Sequence, residues 1–220
     1  MIVFFEGLDG SGKTTVSKRV AEMLRERGLT VCHTRAPGGT PAAERIRGLL
    51  MGDEKLHPDT ILLLFSAAAN EQKQFIEEQE KTCDVVVCDR WLFSTFAYQI
   101  AMGADQDLVM DMVEKVMFMP YDPRLAIFLD ATPEMREQRI YDRGGDKDRF
   151  SAFPKFVRAR LQDNYAAMLE AGWLSWHDAK YDAETVARNC ESLVIGFRDA
   201  YSPFENLPDI AIPEQAPGQP

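Results

Sequence analysis

The segment that decides the fold is Gly7-Leu8-Asp9-Gly10-Ser11-Gly12-Lys13-Thr14, which follows the apolar run Ile2-Val3-Phe4-Phe5 and precedes a helical pattern. Its glycines let the backbone bend so that successive N–H groups face a phosphate. The lysine adds a positive charge, and the threonine adds a hydroxyl for magnesium. A turn alone rarely keeps the Lys-Thr pair between a strand and a helix. The segment therefore predicts a loop that binds a nucleoside triphosphate through Gly7, Gly10, Ser11, Gly12, Lys13, Thr14 and Thr15.

Composition narrows the class of protein. The 220 residues include 25 basic and 35 acidic side chains, a formal net charge of -10, and 45% of them are hydrophobic. This predicts a globular core and disfavours a nucleic-acid partner. No apolar stretch approaches the roughly twenty residues of a membrane span, and no basic leader precedes the first strand. We expect a cytoplasmic protein without a membrane partner, with reduced cysteines and with Cys32 and Cys88 buried in strands.

Apolar strand candidates alternate with helical patterns along the chain. This alternation predicts an α/β fold: a P-loop three-layer α/β/α domain over residues 1–200, with a five-stranded parallel sheet flanked by helices. Prolines and weak periodicity in residues 201–220 predict an extended or disordered tail. The predicted strands cover residues 2–5, 30–33, 85–88, 125–129 and, more weakly, 174–177. The predicted helices include residues 13–27, 59–81, 133–141, 153–171 with Pro154 in the first turn, and 182–200.

Two motifs follow predicted strands, at the sheet edge where open parallel sheets bind ligands. Asp89-Arg90 ends the run that begins at Val85. The aspartate can hold magnesium together with Thr14, and the arginine can reach the phosphate of an acceptor. A strand-end salt bridge is the alternative interpretation. In the other motif, Thr34 to Thr40, Pro37 can be cis and the two glycines after it permit a bend beside a ligand.

Several segments have an order and a spacing that resemble one family. They are Phe5 to Thr15, Thr34 to Thr40, Asp89-Arg90, Ser94 to Gln99, Asp148-Arg149 and His177 to Ala179. Together they resemble the thymidylate kinase family of nucleoside monophosphate kinases, over about residues 1–198. The resemblance implies ATP and Mg²⁺ on the donor side, a deoxynucleoside monophosphate, most simply dTMP, as the acceptor, and a homodimer.

The resemblance also implies roles for individual residues. Lys13 and Thr14 would hold the donor phosphates and the metal, with Asp9 near the metal and the acceptor phosphate. The lid would span about residues 142–151, as in the bacterial branch of the family. Its Arg143 and Arg149 would supply catalytic charge, because Ser11 stands where another branch has a basic residue. The implied acceptor site consists of Asp9, Pro37, Arg47 and Arg90 near the phosphate, Phe65, Ala69, Ser94 and Gln99 around the base, and Tyr98 near the deoxyribose.

The chain departs from the family pattern at Ala36, Ser151 and, most importantly, Ala69. The family commonly has an arginine at the last position, four residues after the stacking phenylalanine, which donates to the 4-carbonyl of the pyrimidine. Losing that donor predicts a relaxed or redirected base preference, worth about 1 to 3 kcal/mol, for example toward 5-substituted dUMP. Alternatively, water or another side chain, such as Gln72 or Lys73, replaces the guanidinium and dTMP remains the substrate.

Two other functions compete with this interpretation. A deoxynucleoside kinase would need a carboxylate base near a sugar hydroxyl, for which Glu6 is the only obvious candidate. Arg47 and Arg90 instead favour an acceptor that already carries a phosphate. A nucleotide-dependent switch module would hydrolyse the triphosphate slowly and without an acceptor.

Overall fold

The structure, a computed structural model, describes residues 1–52, 54–119, 124–144 and 153–201. Strands and helices alternate along these residues. The strands are β1 (Ile2–Glu6), β2 (Val31–Arg35), β3 (Val85–Asp89), β4 (Arg124–Asp130) and β5 (Ser175–Asp178). The helices are α1 (Lys13–Glu26), α2 (Pro41–Leu50), α3 (Pro58–Glu80), α4 (Leu92–Met102), α5 (Gln106–Met112), α6 (Pro133–Asp142), α7 (Lys155–Glu170) and α8 (Ala183–Tyr201), with a π-helical turn at Val113–Met117 after α5.

The five strands form one parallel sheet in the order β2-β3-β1-β4-β5. Every residue of β1 and β3 is buried, because crossover helices cover both faces of a parallel sheet. On one face, Val20 of α1 and Val194 of α8 pack against Val3. On the other face, Ile76 of α3 packs against Phe4. This three-layer α/β/α arrangement confirms the predicted fold.

The predicted strands are all present, within two residues at either end. One predicted helix needs a correction. Pro154 does not lie in the first turn of α7 but immediately precedes it, and the carbonyl of Pro154 accepts hydrogen bonds from the amides of Val157 and Arg158. The sequence analysis assigned no element to residues 106–117, where α5 and the π-helical turn lie. A π turn inserts an extra residue into the helical repeat, so the apolar spacing does not keep one period.

The structure tests two expectations, the burial of the cysteines and the lack of a membrane span. The four cysteines are free, and Cys88 is buried as expected. Cys32 is only half-buried, which corrects the expectation for it, because β2 is an edge strand with one side unpaired. Within the described parts of the chain, no helix combines the length and apolar character needed to cross a bilayer.

Candidate active site

The phosphate loop joins the end of β1 to the start of α1 through tight backbone contacts. Gly7 and Gly10 both have positive φ angles, of 141° and 81°. A Cβ atom on Gly7 would lie 2.6 Å from the carbonyl oxygen of Leu129, and one on Gly10 would lie 2.5 Å from that of Arg136. Both glycines are therefore required by space as well as by conformation. The loop leads directly into α1, whose N-terminal amides suit an anion.

Lys13 lies folded back against this loop. Its Nζ donates hydrogen bonds to the carbonyl oxygen of Leu8 at 2.8 Å and to Oγ of Ser11 at 3.5 Å. Burial and the nearby charge of Arg90 lower the pKa of the Lys13 amine to about 7, although Asp9 and Asp89 act in the opposite direction. A polyanion bound in the loop would stabilise the charged form of Lys13 and raise the pKa of its amine again.

Thr14 and Asp89 meet across the first turn of α1 and the end of β3. The hydroxyl of Thr14 donates to Oδ2 of Asp89. Within the described residues, Oδ1 of Asp89 is buried without a hydrogen-bond partner. A hydroxyl and a carboxylate with a spare oxygen fit Mg²⁺, which binds through few protein ligands and takes the remainder from phosphates and water. Across the described ranges, no group of three or more acidic, histidine or cysteine side chains could hold a metal by itself.

Arg90 occupies the centre of the cleft in a left-handed conformation, with a φ of 71°. One guanidinium nitrogen donates to the carbonyl oxygen of Gly7 at 3.2 Å and to Oγ of Ser94 at 2.9 Å, and the other donates to Oδ1 of Asp9. The guanidinium carbon also lies 5.2 Å from the centroid of the Tyr98 ring. These contacts hold its planar fork in one orientation, which suits recognition of a phosphate.

Asp9 uses both of its carboxylate oxygens within the protein. Oδ1 pairs with Arg90, and Oδ2 accepts from the hydroxyl of Tyr98 at 3.0 Å. Burial raises the pKa of the Asp9 carboxyl, but the charges of Arg90 and Lys13 outweigh this and lower it below its usual value. Asp9 is therefore ionised and orients Arg90, and its oxygens are less available to a metal than the free oxygen of Asp89.

Arg47 provides a second guanidinium on the same cleft. It lies on α2, and one of its nitrogens donates to the carbonyl oxygen of Pro37 at 3.0 Å, directly after the cis Ala36-Pro37 bond. Arg47 and Arg90 line a cavity of about 260 Å³ that also reaches Lys13, Thr14 and Asp89. Two guanidinium groups therefore converge beside the phosphate loop.

The far side of this cavity is built from helices α3 and α4. Phe65 and Ala69 lie one turn apart on α3, and Thr95 and Gln99 lie one turn apart on α4. Neither amide atom of Gln99 has a hydrogen-bond partner among the described residues, although the side chain is fully buried. An aromatic ring, the small side chain of Ala69 and an unpaired amide are suited to a planar base with polar edges.

A second cavity, of about 360 Å³, lies on the other side of the phosphate loop. It is lined by Gly12 and Thr15 of the loop region and by Tyr181 and Asp182 before α8. Arg143, at the end of α6, lines both cavities. Arg149 and most of the predicted lid lie outside the described residues, as does the tail after Tyr201.

Comparisons with known proteins agree with this geometry. The family model described as thymidylate kinase matches residues 5–189. The chain is 33% identical over 200 residues to a thymidylate kinase from Ruegeria pomeroyi, covering 89% of this chain and 94% of that one. It is 39% identical over 173 residues to one from Dinoroseobacter shibae, covering 77% and 83%. The crystal structure of thymidylate kinase from Ehrlichia chaffeensis superposes with a TM-score of 0.67 at 28% identity, covering 88% of this chain and 98% of that one.

The chain belongs to the thymidylate kinase family. It is a nucleoside monophosphate kinase with the P-loop α/β fold of that family. Arg47 and Arg90 both line its cleft beside the phosphate loop.

Glu6 forms buried hydrogen bonds with other parts of this thymidylate kinase fold. Its Oε1 accepts from the amides of Trp91 at 2.8 Å and Ser94 at 3.2 Å, while Oε2 accepts from the hydroxyls of Ser94 and Tyr165. The side chain is fully buried and does not line the cleft. It fixes the start of α4 and is not placed to act as the base of a deoxynucleoside kinase. Ser94, expected at the edge of the base, lines the cleft, and its hydroxyl is bound to Glu6 and Arg90.

Neither proposed replacement for the missing family arginine reaches the acceptor cleft. Gln72 donates toward Thr34 and Cys88 at 3.4 Å each, and Lys73 donates to the carbonyl oxygen of Phe118 at 2.7 Å. Neither lines the cavity that contains Ala69. Neither side chain therefore takes the place of the family arginine in this cavity.

Arg139 was not predicted as a site residue. It links α6 to the phosphate loop and to the segment after β5. It donates to the carbonyl oxygen of Ser11 at 3.1 Å and to that of Ala179 at 2.9 Å. Its position four residues before Arg143, on the same face of α6, was the available signal. Arg139 thereby attaches α6 to the phosphate loop.

Proposed function

We propose that this protein transfers the γ-phosphoryl group of ATP to dTMP, forming dTDP and ADP. The observation that supports this most directly is that Arg47 and Arg90 line one cavity together with Lys13 and Thr14, and that Phe65, Ala69 and Gln99 line the same cavity. A phosphate-binding loop alone would bind a donor. Two arginines facing it add a site for a second, phosphorylated substrate.

In this proposal the protein positions groups and neutralises charge. The acceptor phosphate oxygen is already anionic, so it attacks the γ-phosphorus directly and the bond to the ADP leaving group breaks without a covalent enzyme intermediate. Lys13 and the loop amides bind the donor phosphates, and Arg47 and Arg90 hold the acceptor phosphate. Thr14 and Asp89 would hold Mg²⁺, which would neutralise negative charge on the donor phosphates when bound. Arg143, with Arg149, would stabilise charge on the transferred group.

Formation of ADP with and without a monophosphate tests the reaction class. We expect ADP formation that depends on dTMP and produces one dTDP for each ATP consumed. Slow ADP formation that ignores every added monophosphate would contradict the proposal and support a switch module. Phosphorylation of thymidine, but not of dTMP, would instead support a deoxynucleoside kinase.

The gap at Ala69 extends the proposal to the base. Neither Gln72 nor Lys73 lines the cleft, and position 69 carries only a methyl group, so none of these three side chains takes the place of the family arginine beside the base. We propose that 5-substituted dUMP, such as 5-hydroxymethyl-dUMP, is phosphorylated with kcat/KM within about tenfold of that for dTMP. A preference for dTMP of more than about a hundredfold over this analogue would contradict the extension.

The Ala69→Arg variant tests the same gap from the other side. Restoring a guanidinium there fills the space and adds a donor, so we expect the preference for dTMP over 5-hydroxymethyl-dUMP to rise by about tenfold. Steady-state kcat/KM values for the two substrates measure it. Ala67→Arg is the matched control, because Ala67 is exposed on the same helix. Equal ratios in Ala69→Arg and Ala67→Arg would show that the gap does not set base preference.

Binding of ATP should take up a proton at Lys13. The pKa of this amine is lowered to about 7 in the empty loop, and triphosphate charge raises it again. Uptake should therefore approach about one proton near pH 8.5 and fall toward zero near pH 6. Calorimetry in two buffers of different ionisation enthalpy measures the uptake. Lys13→Met should abolish it and the exposed control Lys18→Met should keep it, whereas equal uptake in both variants would contradict the assignment.

We also propose a homodimer. Leu49 on α2 and Leu63 on α3 are about half exposed, on helices that pack together. Such side chains favour burial against a second copy. Light scattering coupled to size-exclusion chromatography should give twice the mass of one chain, and replacing both leucines with glutamate should give the monomer.

A further inference from the structure

An ion pair joins the end of β2 to α2 across the bend that contains Gly38 and Gly39. Nη2 of Arg35, the last residue of β2, donates to Oε1 and Oε2 of Glu44 on α2, at 3.0 and 2.9 Å. Oε1 of Glu44 also accepts from the backbone amide of Gly39 at 3.0 Å. A Cβ atom on Gly38 would lie 2.5 Å from the same oxygen. The carboxylate of Glu44 is therefore held against the bend by Arg35 and Gly39.

Arg35 and Glu44 are accessible to solvent and lie beside the acceptor cleft. Their side chains are 49% and 41% exposed, and Arg35 lines the cavity that contains Arg47 and Arg90. An exposed ion pair of this kind contributes little to folding stability. An effect on the cleft therefore explains the pair better than an effect on stability does.

Arg47 is the guanidinium of this cleft that Glu44 could otherwise neutralise. Glu44 precedes Arg47 by three residues on α2, and side chains at that spacing are neighbours on a helix and can form an ion pair. Burial and the charge of Arg35 lower the pKa of the Arg47 guanidinium, whereas the charge of Glu44 acts in the opposite direction. Among the described residues, however, no carboxylate pairs with Arg47, which donates to the neutral carbonyl oxygen of Pro37 at 3.0 Å. The charge of Arg47 thus stays available to an anion.

We propose that Arg35 is a positioning residue that holds the carboxylate of Glu44 away from Arg47, so that Arg47 can bind the acceptor phosphate. The inference rests on the proposed function, because it requires a phosphorylated acceptor beside Arg47. Arg35 acts through Glu44 and does not have to touch the substrate. It determines which of the two arginines the carboxylate neutralises.

The test is a double-mutant cycle with dTMP as the acceptor. Arg35→Met releases Glu44 to pair with Arg47, so KM for dTMP should rise by about tenfold, while kcat and KM for ATP stay within about twofold. Adding Glu44→Gln removes the competing charge, so the double variant should return KM for dTMP to within about threefold of the unmodified enzyme. A double variant no better than Arg35→Met would overturn the inference. A KM for dTMP that Arg35→Met leaves within about twofold would overturn it as well.

Arg188→Met is the matched control for loss of an exposed ion pair. Arg188 pairs with Glu184 at 3.3 Å on α8, and neither residue lines a cavity described above. This variant should leave KM for dTMP unchanged. A rise equal to that in Arg35→Met would show that the effect is not specific to the cleft, which contradicts the inference.

Binding of thymidine locates the effect without turnover, because thymidine shares the base and deoxyribose of dTMP but lacks the phosphate. In calorimetry, Arg35→Met should weaken binding of dTMP by about tenfold and leave binding of thymidine within about twofold. Equal weakening of both would mean that Arg35 shapes the cleft as a whole, and the inference would be wrong. Inactivity of the unmodified enzyme on every monophosphate would refute the phosphotransfer itself, whereas an active enzyme in which Arg35→Met leaves KM for dTMP unchanged refutes only the role of Arg35.

Discussion

Replacing Arg90 with lysine should lower kcat/KM for dTMP by about 10³-fold, although the positive charge is kept. The guanidinium donates to Gly7, Ser94 and Asp9 at once, and a lysine ammonium on a flexible stem cannot hold that geometry. Hydrogen bonds to charged groups are worth about 1.5–3 kcal/mol each, so losing two of them at the acceptor phosphate accounts for the size of the effect.

The position of the loss identifies the role. KM for dTMP should rise and kcat should fall, while KM for ATP changes little, because Arg90 faces the acceptor. Arginine and lysine at position 90 would have the same backbone strain at a φ of 71°, so a difference in strain does not explain the expected loss. Arg25→Lys is the control, since Arg25 is exposed and donates to the carbonyl oxygen of Val31, away from the cleft. A loss below about tenfold, or one confined to KM for ATP, would remove Arg90 from the acceptor site.

Local signals in the sequence predicted the framework of this fold and much of its cleft. The phosphate loop can be recognised from eight consecutive residues, and Asp89-Arg90 from its position at the end of one strand. Each motif can therefore be interpreted without knowledge of the rest of the fold. β1 and β3 are neighbours in the sheet, and their apolar runs fit strands that helices cover on both faces. The pairing of Thr14 with Asp89 follows from that register.

Contacts between distant segments could not be predicted in the same way. Glu6 was considered as a base, whereas it binds Ser94 and Tyr165, which lie 88 and 159 residues away. The sequence pattern of β1 shows that Glu6 ends a strand, but it does not show which helix begins above it. Arg139 could not be predicted for the same reason, because its importance depends on which carbonyl oxygens the fold brings next to it.

The charge of the cleft contrasts with that of the whole chain. The formal net charge is -10, yet Lys13, Arg47, Arg90 and Arg143 all line the acceptor cavity. Two of these charges affect each other, since Arg90 helps to lower the pKa of Lys13. Positive charges held close together repel each other and are stabilised by anionic phosphates bound between them. Binding of anionic phosphates would therefore relieve the repulsion between these positive charges.

Replacing Arg143 with alanine should lower kcat by about 10³-fold and leave KM for both substrates within about threefold. A cation at the transferred phosphoryl group acts mainly in the transition state, and removing such an arginine typically costs about 10³ to 10⁵ in rate. Arg143 is suited to this role because it lines both cavities, at the point where the donor side meets the acceptor side. The neutral Ser11 leaves the phosphate loop without a second basic residue at that position.

Arg136→Ala is the matched control on the same helix. Its Nε donates to the carbonyl oxygen of Ala131, and its side chain lines neither cavity. The close contact with Gly10 involves only the backbone of Arg136, which alanine keeps. Single-turnover kinetics with saturating ATP and dTMP isolates the chemical step from product release. If Arg143→Ala and Arg136→Ala turn over equally fast, the catalytic charge does not come from Arg143, and Arg149 alone would have to provide it.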